Sequence, residues 1–226
     1  MKQEILHFIL ASFIRLGTRT EFLQCENLPP SGGIILAINH NSRLDIPVLF
    51  SNPVRRDLTA LIANEYRSNL FFWVILQTGN AIWLDRSKAD FSAFRQAVDL
   101  IKQGHVMGIA PEGTRSRVGQ MLEGKPGVLL LAARAGVPIV PVGITGTEDA
   151  MQKMLTLCRS KITVRFGKAF TLPPIPHEDR DETIRQNITE VMCQIAALLP
   201  EGYRGFYQGY ERVGEIVKEN GSIDSM

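Results

Sequence analysis

Cysteine is scarce in this 226-residue chain: Cys25, Cys158 and Cys193 are odd in number, far apart and without metal-ligand spacing. That argues against a disulfide framework or a cysteine-based metal site and points to a reducing compartment. In such a compartment the Asn187-Ile188-Thr189 sequon is incidental. Charge of one sign is also lacking. A net charge of +2 is too mild to imply a nucleic-acid partner. There are no internal repeats and no low-complexity tracts, and 45% apolar with 21% charged residues is the composition of a folded domain. Missing too are a Gly-x-Ser-x-Gly nucleophile elbow, a dinucleotide fingerprint and any cluster of metal ligands. Gly119 to Lys125 begins like a phosphate-binding loop, but Pro126 follows where Ser or Thr is required.

Long apolar runs are short of what a membrane span needs. Residues 5–16 read ILHFILASFIRL, interrupted by His7, Ser12 and Arg15. As a helix this stretch rises roughly 18 Å against a hydrocarbon core of ~30 Å. It fits a helix lying in a membrane interface, an ordinary packed helix, or a signal or anchor segment. Glu4 and the absence of a small-x-small cleavage site weigh against the last. A second apolar stretch, 70–76, carries Trp73 and reads either as core or as an interfacial anchor.

What is present is an alternation of short apolar runs with helical patterns, the signature of an α/β sheet. Strands are expected at 33–38, 58–63, 81–84, 106–110, 138–144 and 162–166, several apolar on both faces as in a largely parallel sheet. Pro141 marks the 138–144 strand as an edge or irregular one. Helical stripes are Phe91, Phe94, Val98 and Ile101, closed by Gly104; Val128 to Ala135, closed by Gly136; and Ile184, Ile188, Val191 and Ile195. The expected organisation is an apolar N-terminal helix at 1–20, one domain at 21–218 and a frayed terminus at 219–226. A proline-rich link at 172–176 leads into the helical C-terminal part.

Four segments carry candidate chemistry. Asn39-His40-Asn41-Ser42-Arg43-Leu44-Asp45 follows a strand, where open α/β sheets place their ligands. On one continuous helix His40 and Asp45 would diverge by about 140°. Pro47 instead suits a helix that starts near Ile46, with His40 on the incoming loop and Asp45 at the cap. The carboxylate then reaches one imidazole nitrogen and leaves the other as a base. Alternatively Asp45 only caps the helix. Pro111-Glu112-Gly113-Thr114-Arg115-Ser116 also follows a strand, and a glycine turn with a hydroxyl and a guanidinium suits a phosphate; alternatively it is only a polar turn with an exposed Arg. Gly79 to Arg86 is a strand ending in an acid and a base, and Val137 to Gly143 is an apolar strand with two prolines. His7, His105 and His177 have no partner at matching spacing and read as structural.

Taken in order, NHNSRLD, GNAIWLDR, PEGTRS and VPIVPVG resemble the motif blocks of the glycerolipid acyltransferase superfamily, especially its bacterial lysophosphatidic acid acyltransferases. The resemblance covers about half the chain. It implies a mixed, largely parallel central sheet flanked by helices, a glycerol-3-phosphate acyltransferase-like fold, with an N-terminal helix at the membrane interface. It implies His40 as general base and Asp45 as its orienting partner. Arg86, Glu112, Gly113, Thr114, Arg115 and Lys125 would bind the substrate. No metal or organic cofactor is implied, since acyl-CoA or an acyl carrier protein serves as co-substrate. The implied partners are lysophosphatidic acid and a phospholipid membrane surface, not nucleic acid, and the implied place is peripheral or monotopic on the cytoplasmic face of the cell membrane. Two departures touch the acceptor site: Gly124 stands where many relatives have Phe, and Ala63-Asn64-Glu65 lacks a Lys often found there. Other readings keep the chemistry on a different acceptor (glycerol 3-phosphate, another lysophospholipid, an amino- or glycolipid), replace the acceptor with water, or make the protein a non-catalytic lipid binder.

Overall fold

A computed structural model describes residues 2–66, 81–85, 87, 90–174 and 178–220. The 70–76 stretch with Trp73, Arg86, His177 and residues 221–226 lie outside the described residues. The chain opens with α1 (Lys2–Gly17) and runs on into β1 (Thr18–Leu23). There follow β2 (Ile34–Ile38), α2 (Asp45–Phe50), β3 (Leu58–Ala63), β4 (Ile82–Leu84), α3 (Phe91–Lys102) and β5 (Val106–Ile109). The last elements are α4 (Gly127–Ala135), β6 (Ile139–Thr145), α5 (Ala150–Leu155), β7 (Ser160–Phe166), α6 (Arg180–Ala196) and α7 (Glu211–Asn220).

Among the described residues seven strands form one sheet in the order β1-β7-β6-β2-β5-β3-β4. Every neighbouring pair is parallel except β6 with β7, so β1 and β7 run against the other five. The carboxyl ends of β2 to β6 therefore share one edge of the sheet with the amino ends of β1 and β7. This edge carries the site.

Strand β2 explains why the sheet needs cover on both sides. All five residues of Ile34–Ile38 are buried, and they alternate: Ile35 and Ala37 face one core, Ile34, Leu36 and Ile38 the other. Each large side chain withdrawn in this way contributes about 1.5–3 kcal/mol. Helices α3, α4, α6 and α7 cover the first face through residues such as Ala97, Leu131, Val191 and Ile216. The second face is covered by α1 and α2, through Leu10, Ile14, Val48 and Leu49, and by Ala150 of α5.

Several expectations change. The helical reading to residue 20 gives way at Thr18, where β1 begins and pairs with β7. Phe91 is exposed, and Ala93 and Ala97 join Val98 and Ile101 on the buried stripe of α3, which Asp90 caps by accepting the Ala93 N–H at 3.0 Å. Strand β6 is internal, not an edge. Its proline is tolerated because the β7 ladder ends there: the register runs from Thr145↔Thr163 to Val142↔Phe166, and the next bond uses only the Pro141 carbonyl, which accepts from Gly167 N–H at 2.8 Å. Gly136 has φ 69° and closes α4, as its position after the stripe predicts.

Candidate active site

His40 leaves β2 and Asp45 opens α2, which begins one residue before the expected start. The Nδ1–H of His40 donates to Asp45 Oδ2 at 2.8 Å, and the carboxylate is completely buried while the imidazole keeps 16% exposure. The same Oδ2 accepts the Asn41 and Ser42 N–H groups, each at 2.8 Å. Oδ1 accepts the Thr147 hydroxyl at 2.6 Å. Four donors converge on this carboxylate, which holds it as an acceptor. The proton shared with His40 therefore sits on Nδ1, leaving Nε2 with a lone pair on the cavity side of the dyad.

The His40 backbone is held as tightly as its ring. Glu112 Oε1 accepts the His40 N–H at 3.0 Å, and Ser116 N–H donates to the His40 carbonyl at 2.8 Å. The other Glu112 oxygen accepts Leu122 N–H at 3.0 Å. Burial pushes the Glu112 carboxyl up to about 7, with the nearby Asp45 charge adding to it and the two N–H bonds pulling the other way. Asn39 ties the same loop to β6: its amide donates to the Ile144 carbonyl and accepts the Ile144 N–H, both at 2.8 Å. The third motif block, with Ile144 and Thr147 just past the fourth, thus acts first as a frame for the first.

A cavity of about 380 Å³ opens beside this dyad. Its apolar wall includes Ile46, Leu61, Ile62, Leu84, Ile109 and Val128. Arg43, Arg115 and Lys125 line it together with His40 and Asp85, and each of these reaches solvent, so cations outnumber acids on its open side. Arg43 lies over the Tyr66 ring at 5.8 Å. Gly113 has φ 70°, and a Cβ there would sit 3.1 Å from the Lys125 Cδ, so the glycine both makes the turn and lets the lysine cross it. An apolar slot with a cationic mouth and one imidazole matches an amphiphile whose anionic head lies near the reacting atom.

Of the residues singled out from sequence, His40, Gly113, Arg115 and Lys125 line the cavity, and Asp45 stands directly behind His40. Glu112 does not line it, being spent on backbone N–H groups, and Thr114 is exposed away from it. Arg86 is outside the described residues, while its neighbour Asp85 is on the cavity wall. Gly124 does not line the cavity either. A side chain there would meet the Met192 Cγ at 2.6 Å, so α6 fills the space in the core. Ala63 lines the cavity, leaving that stretch of wall without a charge. Thr147 was not anticipated as part of the site, and Asn39, which heads the first block, was given no role of its own. The signal for Thr147 was position alone, just beyond a strand that points to the dyad. His7 bonds the Asn52 carbonyl at 2.8 Å and His105 the Asp57 carbonyl at 3.2 Å, which makes both structural.

A family model described as Acyltransferase matches residues 19–145, more than half of the chain. A 1-acyl-sn-glycerol-3-phosphate acyltransferase of Chlamydomonas reinhardtii is 32% identical over 161 residues, covering 69% of this chain and 47% of that protein. The 1-acyl-sn-glycerol-3-phosphate acyltransferase alpha of Homo sapiens is 31% identical over 172 residues, covering 72% and 56%. The Bacillus subtilis 1-acyl-sn-glycerol-3-phosphate acyltransferase is 27% identical, covering 56% and 63%. The chain thus spans about half to two thirds of the length of these relatives. The crystal structure of the 1-acyl-sn-glycerophosphate acyltransferase of Thermotoga maritima shares the fold, with a TM-score of 0.64 at 24% identity over 84% of this chain and 78% of that one.

Proposed function

We propose that this chain, which belongs to the acyltransferase family, moves a fatty acyl group from a thioester to the free hydroxyl of 1-acyl-sn-glycerol 3-phosphate, forming phosphatidic acid. The observation that carries the reading is the His40–Asp45 pair at the cationic mouth of an apolar cavity. His40 Nε2 takes the proton of the acceptor hydroxyl as its oxygen bonds to the thioester carbonyl carbon. The C–S bond then breaks, and the imidazolium returns the proton to the departing thiolate. Asp45 holds the tautomer and offsets the charge on the ring. General-base help of this kind is typically worth ~10²–10⁴ in rate, and fixing the phosphate adds orientation. Arg115 and Lys125 bind the phosphate, with Arg86 as a further contact and Arg43 beside them, and the acyl chain lies along Ile46, Leu61 and Val128. A thioester is already activated, so this route needs neither a metal nor an organic cofactor. Acyl-CoA and acyl carrier protein both fit as donors.

We further infer that residues 21–218 act as one catalytic unit carried on a membrane surface by α1. Along α1, Leu10 and Ile14 face the core, whereas Ile5, Phe8, Ile9 and Leu16 fall within about 100° of each other on the opposite side. Those four are exposed, Phe8 by 72%. Among the described residues no helix is long and apolar enough to cross a membrane. An interfacial, peripheral seat on the cytoplasmic face, where thioesters are made, is therefore the arrangement that suits the helix and both substrates.

The test is thiol release from palmitoyl-CoA with and without lysophosphatidic acid, in detergent or vesicles, with phosphatidic acid as the second readout. Release that depends on the acceptor, and that falls when monoacylglycerol replaces lysophosphatidic acid, is expected. Equal release without any acceptor marks a thioesterase and overturns the reading.

A further inference from the structure

The outward apolar face of α1 does not end with the helix. Gly17 packs against Met154, at a distance where an added Cβ would strike the Met154 side chain. The Arg159 guanidinium closes the end of α1 by donating to the Arg15 and Thr18 carbonyls. These contacts set the turn between α5 and β7 directly beside Leu16. On it stand Leu155 at 83% and Leu157 at 94% exposure, next to Leu16 at 79%. Leu157 has φ 56°, the left-handed region where a turn ordinarily carries Gly or Asn. A leucine held there, almost wholly in solvent, gains nothing from the fold.

The surroundings of this turn are basic. Arg15, Arg19, Lys153, Arg159 and Lys161 all lie on or beside it and are exposed. Two acids temper them, Asp149 bonded to Lys153 at 2.6 Å and Glu21 at 3.5 Å from Lys161. Five cations against two anions, ringed around three exposed leucines, complement an anionic lipid headgroup layer over hydrocarbon. They do not suit a second copy of the chain, since an isologous contact would set this positive patch against itself. The turn lies at the sheet edge that holds the dyad, because Ser160 begins β7 beside the carboxyl end of β6, from which Thr147 reaches Asp45.

We propose that the α5–β7 turn is a second membrane contact, in which Leu155 and Leu157 enter the interface of an anionic phospholipid bilayer alongside α1 and so turn the catalytic end of the sheet towards the lipid. For its purpose, though not its geometry, this rests on the lipid-acceptor reading above. One attachment along α1 leaves the protein free to roll about that axis; a second one, at the catalytic end, fixes the roll.

The experiment uses the full chain with Cys25→Ser. Cys193 is buried, so Cys158, exposed on the turn itself, takes an environment-sensitive fluorophore. Adding phosphatidylcholine–phosphatidylglycerol vesicles is expected to shift its emission to the blue, and phosphatidylcholine alone to do so much less. In unlabelled protein, Leu155→Ser with Leu157→Ser is expected to weaken co-sedimentation with the anionic vesicles about tenfold. The double variant should keep the melting temperature, and its turnover of a short-chain, monomeric lysophosphatidic acid within twofold. An unshifted fluorophore, a double variant that sediments like the parent, or self-association abolished by the two serines would each overturn the proposal. The acceptor reading fails separately: loss of vesicle binding in a protein that never acylates lysophosphatidic acid leaves the membrane contact standing and removes its purpose.

Discussion

The β2–α2 loop and the α5–β7 turn stand at the same edge of the sheet and are built in opposite ways. In the first, the catalytic pair is answered on every side: Asp45 has four donors, and the His40 backbone is bonded at both its N–H and its carbonyl. In the second, leucines stand in solvent on a left-handed backbone. The contrast separates the two demands that the proposed function makes. Proton transfer needs an imidazole fixed to a fraction of an ångström, which takes a frame of buried hydrogen bonds. Reaching a lipid needs an apolar surface with no internal partner.

Breaking the frame should cost activity without touching vesicle binding, and the largest effect belongs to its centre. Asp45→Asn puts an amide where four donors converge, and kcat is expected to fall by about 10²–10⁴ with vesicle binding unchanged. A fall of less than tenfold in a steady-state assay would reduce Asp45 to a helix cap. Arg115→Ala removes one charge-assisted contact, so KM for lysophosphatidic acid should rise about 10- to 100-fold while that for palmitoyl-CoA moves little. An unchanged KM for the acceptor would remove Arg115 from the phosphate site.

Thr147→Val leaves Asp45 Oδ1 without its hydroxyl donor. A drop of about tenfold in kcat, with KM unchanged and activity recovered in Thr147→Ser, is expected from one lost hydrogen bond to a charge. Loss of stability without loss of kcat would make the threonine structural only. The smallest effect on rate concerns Glu112, whose carboxyl rises from 4.5 to about 7 in the fold. Between those two values the folded state binds more protons than the unfolded chain, so stability falls as pH rises through the window, by on the order of 3 kcal/mol. Urea unfolding at either end of that range should show the slope in the parent and its absence in Glu112→Gln. A slope that persists in the variant assigns it to another group.

Much of the frame was legible because it is local. A strand, a histidine, an aspartate five positions on and a proline at the third place of a helix dictate the His40–Asp45 geometry, and Gly136 dictates its own helix end. What escaped is what depends on distant pairing. Thr147 joins the site, and Asn39 finds its partner Ile144, only because β6 lies beside β2. Glu112 reads as a substrate ligand by its motif, yet burial turns it inward to the backbone. Pro141 reads as an edge signal, and only the ending of the β7 ladder lets it sit in the middle of the sheet. The exposure of Leu155 and Leu157 has no periodicity to announce it, since a leucine in a short helix reads as core.

The central claim is that His40 is the base that activates the acceptor. The measurement that meets it most directly is acceptor-dependent thiol release by His40→Ala beside the parent, at equal amounts of vesicle-bound protein. The account predicts that phosphatidic acid formation falls at least 10²-fold while vesicle binding and melting temperature hold. Turnover within a few fold of the parent would contradict it, leaving the chain the family's fold without this mechanism.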